Sequence, residues 1–229
     1  MPKSWDEPFL WLHAAAVVLV PLGIAIAQLG LAAGDPWLWP PLEVSLVAAL
    51  GLGPVMWLQG LQPIYPFSVG IWHLPPRQLS RSRRRRLRGL FGSSWLQLNQ
   101  QQWLTVLLAL LLLFVLIRMY WSAPLWSALT FVHLGWLTHP TGLLVASAGL
   151  AVAALALNLH VTALRALVAS DRDLNTLVPM SRIEIEQSFF TMGKPKADLW
   201  KAWWPQTERR SRSRKSSRSD NAAARVSPG

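Results

Sequence analysis

Five histidines, His13, His73, His133, His139 and His160, are the side chains of this chain best suited to proton or metal chemistry. Their spacing argues against a dedicated centre, because none forms an HExxH motif or a close cluster with acids. His133 and His139 are the nearest pair, in an apolar segment. There a metal or chlorin ligand competes with the plainer role of a polar tip at a membrane interface, and the plainer role is favoured. His13 and His160 fall on one predicted membrane side, but nothing in the sequence pairs them. No nucleophile elbow, phosphate loop or dinucleotide fingerprint occurs. The absence of Cys excludes disulfides and thiolate catalysis. Within the apolar runs the one acid is Glu43, near an edge, whereas proton- or ion-coupled transport calls for ionisable groups at mid-membrane. The expectation is a non-enzymatic protein with no catalytic, cofactor-binding or metal residues.

The residues that remain are basic. Arg77 to Arg88 reads RQLSRSRRRRLR and contains Arg77, Arg81, Arg83, Arg84, Arg85, Arg86 and Arg88 with no acid. Such a cluster cannot cross a bilayer, and it attracts lipid headgroups or an acidic protein surface. Leu79, Leu87, Leu90 and Phe91 recur near one helical face. The stretch from Leu79 to Phe91 reads as a short basic amphipathic helix lying on the headgroups, with Gly92 stopping it, and the alternative of a disordered charged loop stands close beside it. Trp200, Trp203 and Trp204, at i, i+3 and i+4, could present a second aromatic face to a membrane or partner.

The elements that must carry these residues are membrane spans. Hydrophobic residues make up 52% of the chain and charged ones 14%, with Lys and Arg gathered almost wholly in the central loop and the tail, where they produce the net charge of +11. A soluble domain scatters charge over every surface element; long charge-free runs beside dense basic runs describe a polytopic membrane protein. The 14 Trp suit membrane interfaces. Four apolar runs follow: Phe9–Ala33, kinked at Pro21; Leu42–Leu61, interrupted by Gly51, Gly53 and Pro54; Leu104–Ile117, bracketed by Trp103 and Tyr120-Trp121; and Gly142–Leu159. Ala25-Ile26-Ala27 resembles a signal cleavage site, but the length of the first run and its acidic flank, Asp6 and Glu7, favour a retained helix. The Gly51–Pro54 break suits either a broken transporter helix or, preferably, a packing kink.

The third run, nearly pure Leu, Val and Ala, is expected to face lipid, with Arg118 snorkelling outward. Ser147, Gly149, Ala151 and Ala153 give the fourth run small-residue spacing for close contact in the bundle interior. Ser122–Pro140 is too short between Pro124 and Thr138 to span and reads as interfacial or re-entrant. Gln62–Pro76, with Tyr65, Phe67 and Trp72 among its prolines, reads as an interfacial connector. Met180–Glu186 alternates weakly, which suits a short strand or no regular element. Beyond Glu208 the Arg-Ser sequence is low-complexity and expected to be disordered. The fold class is thus all-α: four transmembrane helices as two hairpins with a disordered basic C-terminal tail. The parts are an N-terminal hairpin (1–63), a basic cytoplasmic connector (64–102), a C-terminal hairpin (103–169) and a cytoplasmic tail (170–229).

Trp5 to His13 (WDEPFLWLH), Leu29 to Pro36 (LGLAAGDP), Gln62 to Ser68 (QPIYPFS) and Leu74 to Leu79 (LPPRQL) together resemble the cyanobacterial low-complexity tail membrane proteins. The resemblance covers the membrane part and implies a thylakoid or plasma-membrane setting. It brings no activity and no catalytic residues.

Charge arithmetic orients the spans. Lys3 precedes the first run, seven Arg lie between the second and third, and thirteen Lys or Arg follow from Arg165 onward; the loops Gly34–Pro41 and Ser122–Pro140 carry none. Four spans put every basic region, and both termini, on the cytoplasmic side. The expected function is a scaffold or assembly factor that holds anionic lipid or an acidic partner such as another membrane protein. A small transport component and a nucleic-acid binder acting through the Arg-Ser tail are alternatives. The tail lacks interleaved aromatics, so nucleic acid is not the preferred partner.

Overall fold

The computed structural model describes residues 8–33, 38–69, 72–90, 100–129, 139–169, 176–190 and 194–195. Four helices in it are long and apolar enough to cross a membrane: Pro8–Leu31, Pro40–Gly60, Gln102–Ser127 and His139–Val168. The first is composite. Helix α1 (Pro8–Ala15) passes through a 3₁₀ turn (Ala16–Val18) into α2 (Leu19–Leu31). Pro21, just beyond, has no N–H to give the preceding turn, so the expected kink takes the form of this tighter turn. Helix α3 (Pro40–Leu61) runs unbroken through Gly51, Gly53 and Pro54; Gly51 is there for contact, since a Cβ on it would lie 2.9 Å from the Ser147 carbonyl oxygen.

Helix α5 (Gln100–Leu129) is longer than the apolar run within it and continues through Pro124. Ser122–Leu129 is therefore helix, where the sequence suggests an interfacial or re-entrant segment; residues 130–138 lie outside the described part. Leu107, Leu110, Leu111 and Phe114 are exposed along one side of α5, while Leu112, Leu116 and Met119 are buried along the other. The helix thus faces lipid on one side only. Helix α6 (His139–Val168) is the most buried span and packs on all the others. Its contacts with α2 and α3 exceed its contact with α5, so the two hairpins interlock rather than stand side by side.

The α2–α6 seam is lined with small residues. Gly23, Ala27 and Gly30 face Gly142, Ala146, Gly149 and Ala153. A Cβ on Gly30 would lie 2.5 Å from the Ala146 nitrogen and the Gly142 oxygen, and one on Gly23 2.7 Å from the Ala153 nitrogen and the Gly149 oxygen. Only glycine lets the backbones come this close, as membrane helices use in place of a hydrophobic driving force. Of the small residues expected to do this on α6, Gly149 and Ala153 do; Ser147 turns toward α3.

The bundle core holds Ala27, Val47, Leu116, Leu150 and neighbouring apolar side chains. A second apolar core lies outside the spans. Tyr65, Phe67, Leu74, Leu79 and Leu87 pack there with Met180, Ile185 and Phe189. Tyr65 and Phe67, expected at an interface, are therefore buried in a folded core, because they find partners in the segment after α6. Strands of two residues each, β1 (Ser68–Val69), β2 (Trp72–His73) and β3 (Lys194–Pro195), stitch the two segments together, with β1–β2 antiparallel and β2–β3 parallel. The Phe190 N–H donates to the Pro63 carbonyl at 3.0 Å. Met180–Glu186 contains no strand: Arg182–Ser188 is a helix, α7, opened by a capping box in which Ser181 and Glu184 serve each other's backbone N–H. The six strand residues apart, the fold is helical.

Candidate functional site

Arginine sequence and helix agree over α4 (Arg81–Leu90), which Ser80 caps by accepting the Arg83 N–H at 3.3 Å. The helix does not, however, offer its apolar face to a membrane. Leu79 and Leu87 are buried in the second core, and Leu90 is buried with Leu10, Ala163, Ala166 and Leu167 at the ends of the first and last spans. The amphipathic pattern is real, but the protein itself uses the apolar side. Phe91 lies outside the described residues.

The arginines divide accordingly. Arg86 is buried; Arg83 sits over the Phe67 ring, its guanidinium carbon 5.9 Å from the ring centre, as a cation–π partner. Arg88 donates to both carboxylate oxygens of Glu184 at 3.0 Å, tying α4 to α7. The Ser181 N–H and the Arg88 guanidinium together hold the Glu184 carboxyl below its usual range. Arg84 passes its carbonyl to the Met180 N–H at 3.4 Å. Arg77 and Arg81 are exposed, and Arg84 and Arg85 half-buried. The structure thus brings all seven to one folded platform made by the connector, α4 and α7. Trp200, Trp203 and Trp204 lie outside the described residues. Tyr65 is buried in this platform with its hydroxyl oxygen lacking a hydrogen-bond partner, and burial pushes its phenol up despite nearby Arg83.

At the opposite edge of the bundle is a cluster that the sequence did not assemble. Glu43, in the first turn of α3, is 0% exposed. Its Oε1 accepts the Leu38 N–H at 2.8 Å and lies 2.8 Å from His139 Nε2; its Oε2 accepts the Tyr120 hydroxyl at 2.8 Å. One carboxylate so joins the end of the α2–α3 loop, α3, α5 and α6. Position favours it there: the first turn of a helix stabilises negative charge, and Pro40 and Pro41 have no N–H to leave unsatisfied. His139 is therefore a partner of Glu43. Its Nδ1 is buried without a hydrogen-bond partner. His133 lies outside the described residues, and no group of three or more His, Cys, Asp or Glu able to hold a metal occurs among the described residues. The signal was the lone acid of the apolar runs, which needed a buried partner; sequence could not say which of five histidines.

His13 and His160 each bond a backbone carbonyl of the first span. His160 Nδ1 contacts the Ala14 carbonyl and His13 Nδ1 the Phe9 carbonyl, 2.8 Å away. His13 lines a small cavity of about 10 Å³ with Gln59, Pro66 and Thr162, room for about one water.

Four apolar spans, belts of exposed Trp at both ends (Trp11, Trp57 and Trp103; Trp39 and Trp121), and an arginine cluster at one end define an integral membrane protein of the helical polytopic class. The chain belongs to the low-complexity tail membrane protein-like family, whose model matches residues 6–200. No curated protein and no solved structure matches it.

Proposed function

We propose that this protein is a non-enzymatic membrane scaffold or assembly factor, whose basic platform faces the cytoplasm and holds an anionic partner. The observation that carries this reading is the burial of Leu79, Leu87 and Leu90, which fixes α4 to the protein and presents Arg77 and Arg81 outward on a rigid support. A folded basic surface loses less side-chain and backbone freedom on binding than a disordered loop does. A cytoplasmic side for the platform and the tail is supported by the positive-inside rule applied to four spans.

The test uses the full-length protein in nanodiscs. Phosphatidylglycerol retention by native mass spectrometry and acidic-peptide binding by fluorescence anisotropy are measured for the parent and for a variant carrying Arg77→Gln and Arg81→Gln. At least one anionic ligand should bind the parent, release as salt rises and bind the variant less well. Binding of neither, or binding unchanged by the substitutions, would sink the proposal.

A further inference from the structure

We infer that the partner of this platform is an acidic protein segment carrying aliphatic side chains, docked where α4 meets α7. The inference rests on the scaffold reading above and chooses between its two anionic partners. A surface helix holds to a bilayer by sinking its apolar face into the acyl boundary and adding charge attraction. In α4 the apolar face is spent: Leu79, Leu87 and Leu90 are each 5% exposed or less, inside the protein. What the seam displays outward differs from a headgroup-binding face. The Arg88–Glu184 pair and the Met180 N–H to Arg84 carbonyl bond hold the two elements side by side. Around that seam Val178 is 74% exposed and Ile183 67%, although both lie beyond the last apolar span, which ends at Val168. Arg182, next to Ile183, is exposed, as is Arg81 at the start of α4; Glu186, one turn along α7, is the exposed acid beside them. Exposed aliphatic side chains next to arginines are the composition of a protein interface, and the excess of positive charge on α4 selects an acidic partner.

The same nanodiscs, made of phosphatidylcholine alone, separate the possibilities. The probes are fluorescein-labelled peptides of equal length, one repeating Glu-Glu-Leu and one of Glu only. The first should bind saturably and more tightly than the second. Arg81→Gln and Ile183→Ser, both at exposed positions, should each weaken it by about threefold, the size of an exposed contact. Ile183→Ser should leave the Glu-only peptide unaffected. Equal binding of the two peptides, with Ile183→Ser neutral, would overturn the inference by reducing the surface to charge alone. Arginine-dependent retention of phosphatidylglycerol without peptide binding would overturn it too, while leaving the scaffold reading in place. Failure of both ligands would remove both.

Discussion

Glu43 illustrates how one residue can be legible in kind and illegible in role. A single carboxylate in an apolar run has to be ionised and partnered or else neutral, so its importance could be read from the sequence. Its partners come from positions 77 and 96 residues away, Tyr120 and His139, and no local pattern links them. The arrangement makes firm predictions. Tyr120→Phe removes one donor from a buried carboxylate and should cost about 1–3 kcal/mol. Glu43→Ala strands two donors and the Leu38 N–H and should cost on the order of 3–5 kcal/mol. Thermal unfolding in detergent, followed by tryptophan fluorescence, measures both. Tyr65→Phe is the contrasting case. The Tyr65 hydroxyl is buried without a hydrogen-bond partner among the described residues, so deleting it should leave the melting temperature unchanged or raise it. A clear fall for Tyr65→Phe would mean that the hydroxyl has a partner.

Glu184 sets the pH response of the platform. Its folded-state pKa is depressed, so its contribution is present above the unfolded carboxylate value and is lost as pH falls through the folded one. Protection of the α7 amides, taken relative to their intrinsic exchange at each pH, should therefore fall in acid below the ordinary carboxylate range and be unchanged between neutral and mildly alkaline pH. Arg88→Gln should bring the onset to higher pH.

At the scale of elements, the sequence located all four spans and α4, because hydropathy and charge are local properties. It missed α7, although Ser181-Arg182-Ile183-Glu184 carries the capping-box spacing; the alternation of MSRIEIE spoke for a strand, and the cap decided otherwise. It also treated Tyr65 and Phe67 as interfacial, since their partners Met180, Ile185 and Phe189 lie more than a hundred residues away. The α2–α6 seam gives the sharpest test at this scale. Gly30→Leu drives a side chain into the Ala146 backbone and should separate the helices, seen as loss of a disulfide engineered across the seam. Gly53→Ala meets nothing within 4 Å and should stabilise α3 by about 0.5–1 kcal/mol. If both substitutions act alike, close packing is not what the seam glycines provide.

For the whole molecule the question is sidedness. The absence of native Cys makes single cysteines at Ser80, Ser127 and Ser216 clean reporters. Ser127 is exposed near the end of α5 remote from the arginines. On intact cells or right-side-out vesicles an impermeant thiol reagent should label position 127 alone. Labelling of 80 without 216, or of 216 without 80, would rule out an even number of spans between the arginine loop and the tail.

The central place of α6 has a consequence for biogenesis. Ribosomes deliver the chain from its N-terminus, and the surface that α2 is shaped to meet belongs to the last span made. Until His139–Val168 is inserted, the glycine seam of α2 lies open to lipid and to any other small-residue helix nearby, and the connector aromatics await residues 180–189. Maturation is then late: in nascent chains halted before residue 139 the connector should be protease-sensitive and the α2 seam open to cross-linking from other helices, the seam closing with α6 and the connector once the chain beyond Phe190 has emerged. Quality control that recognises unpaired membrane helices has a long window on this protein, and its abundance in the cell would be governed as much by the time taken to reach its last span as by the stability of the finished bundle.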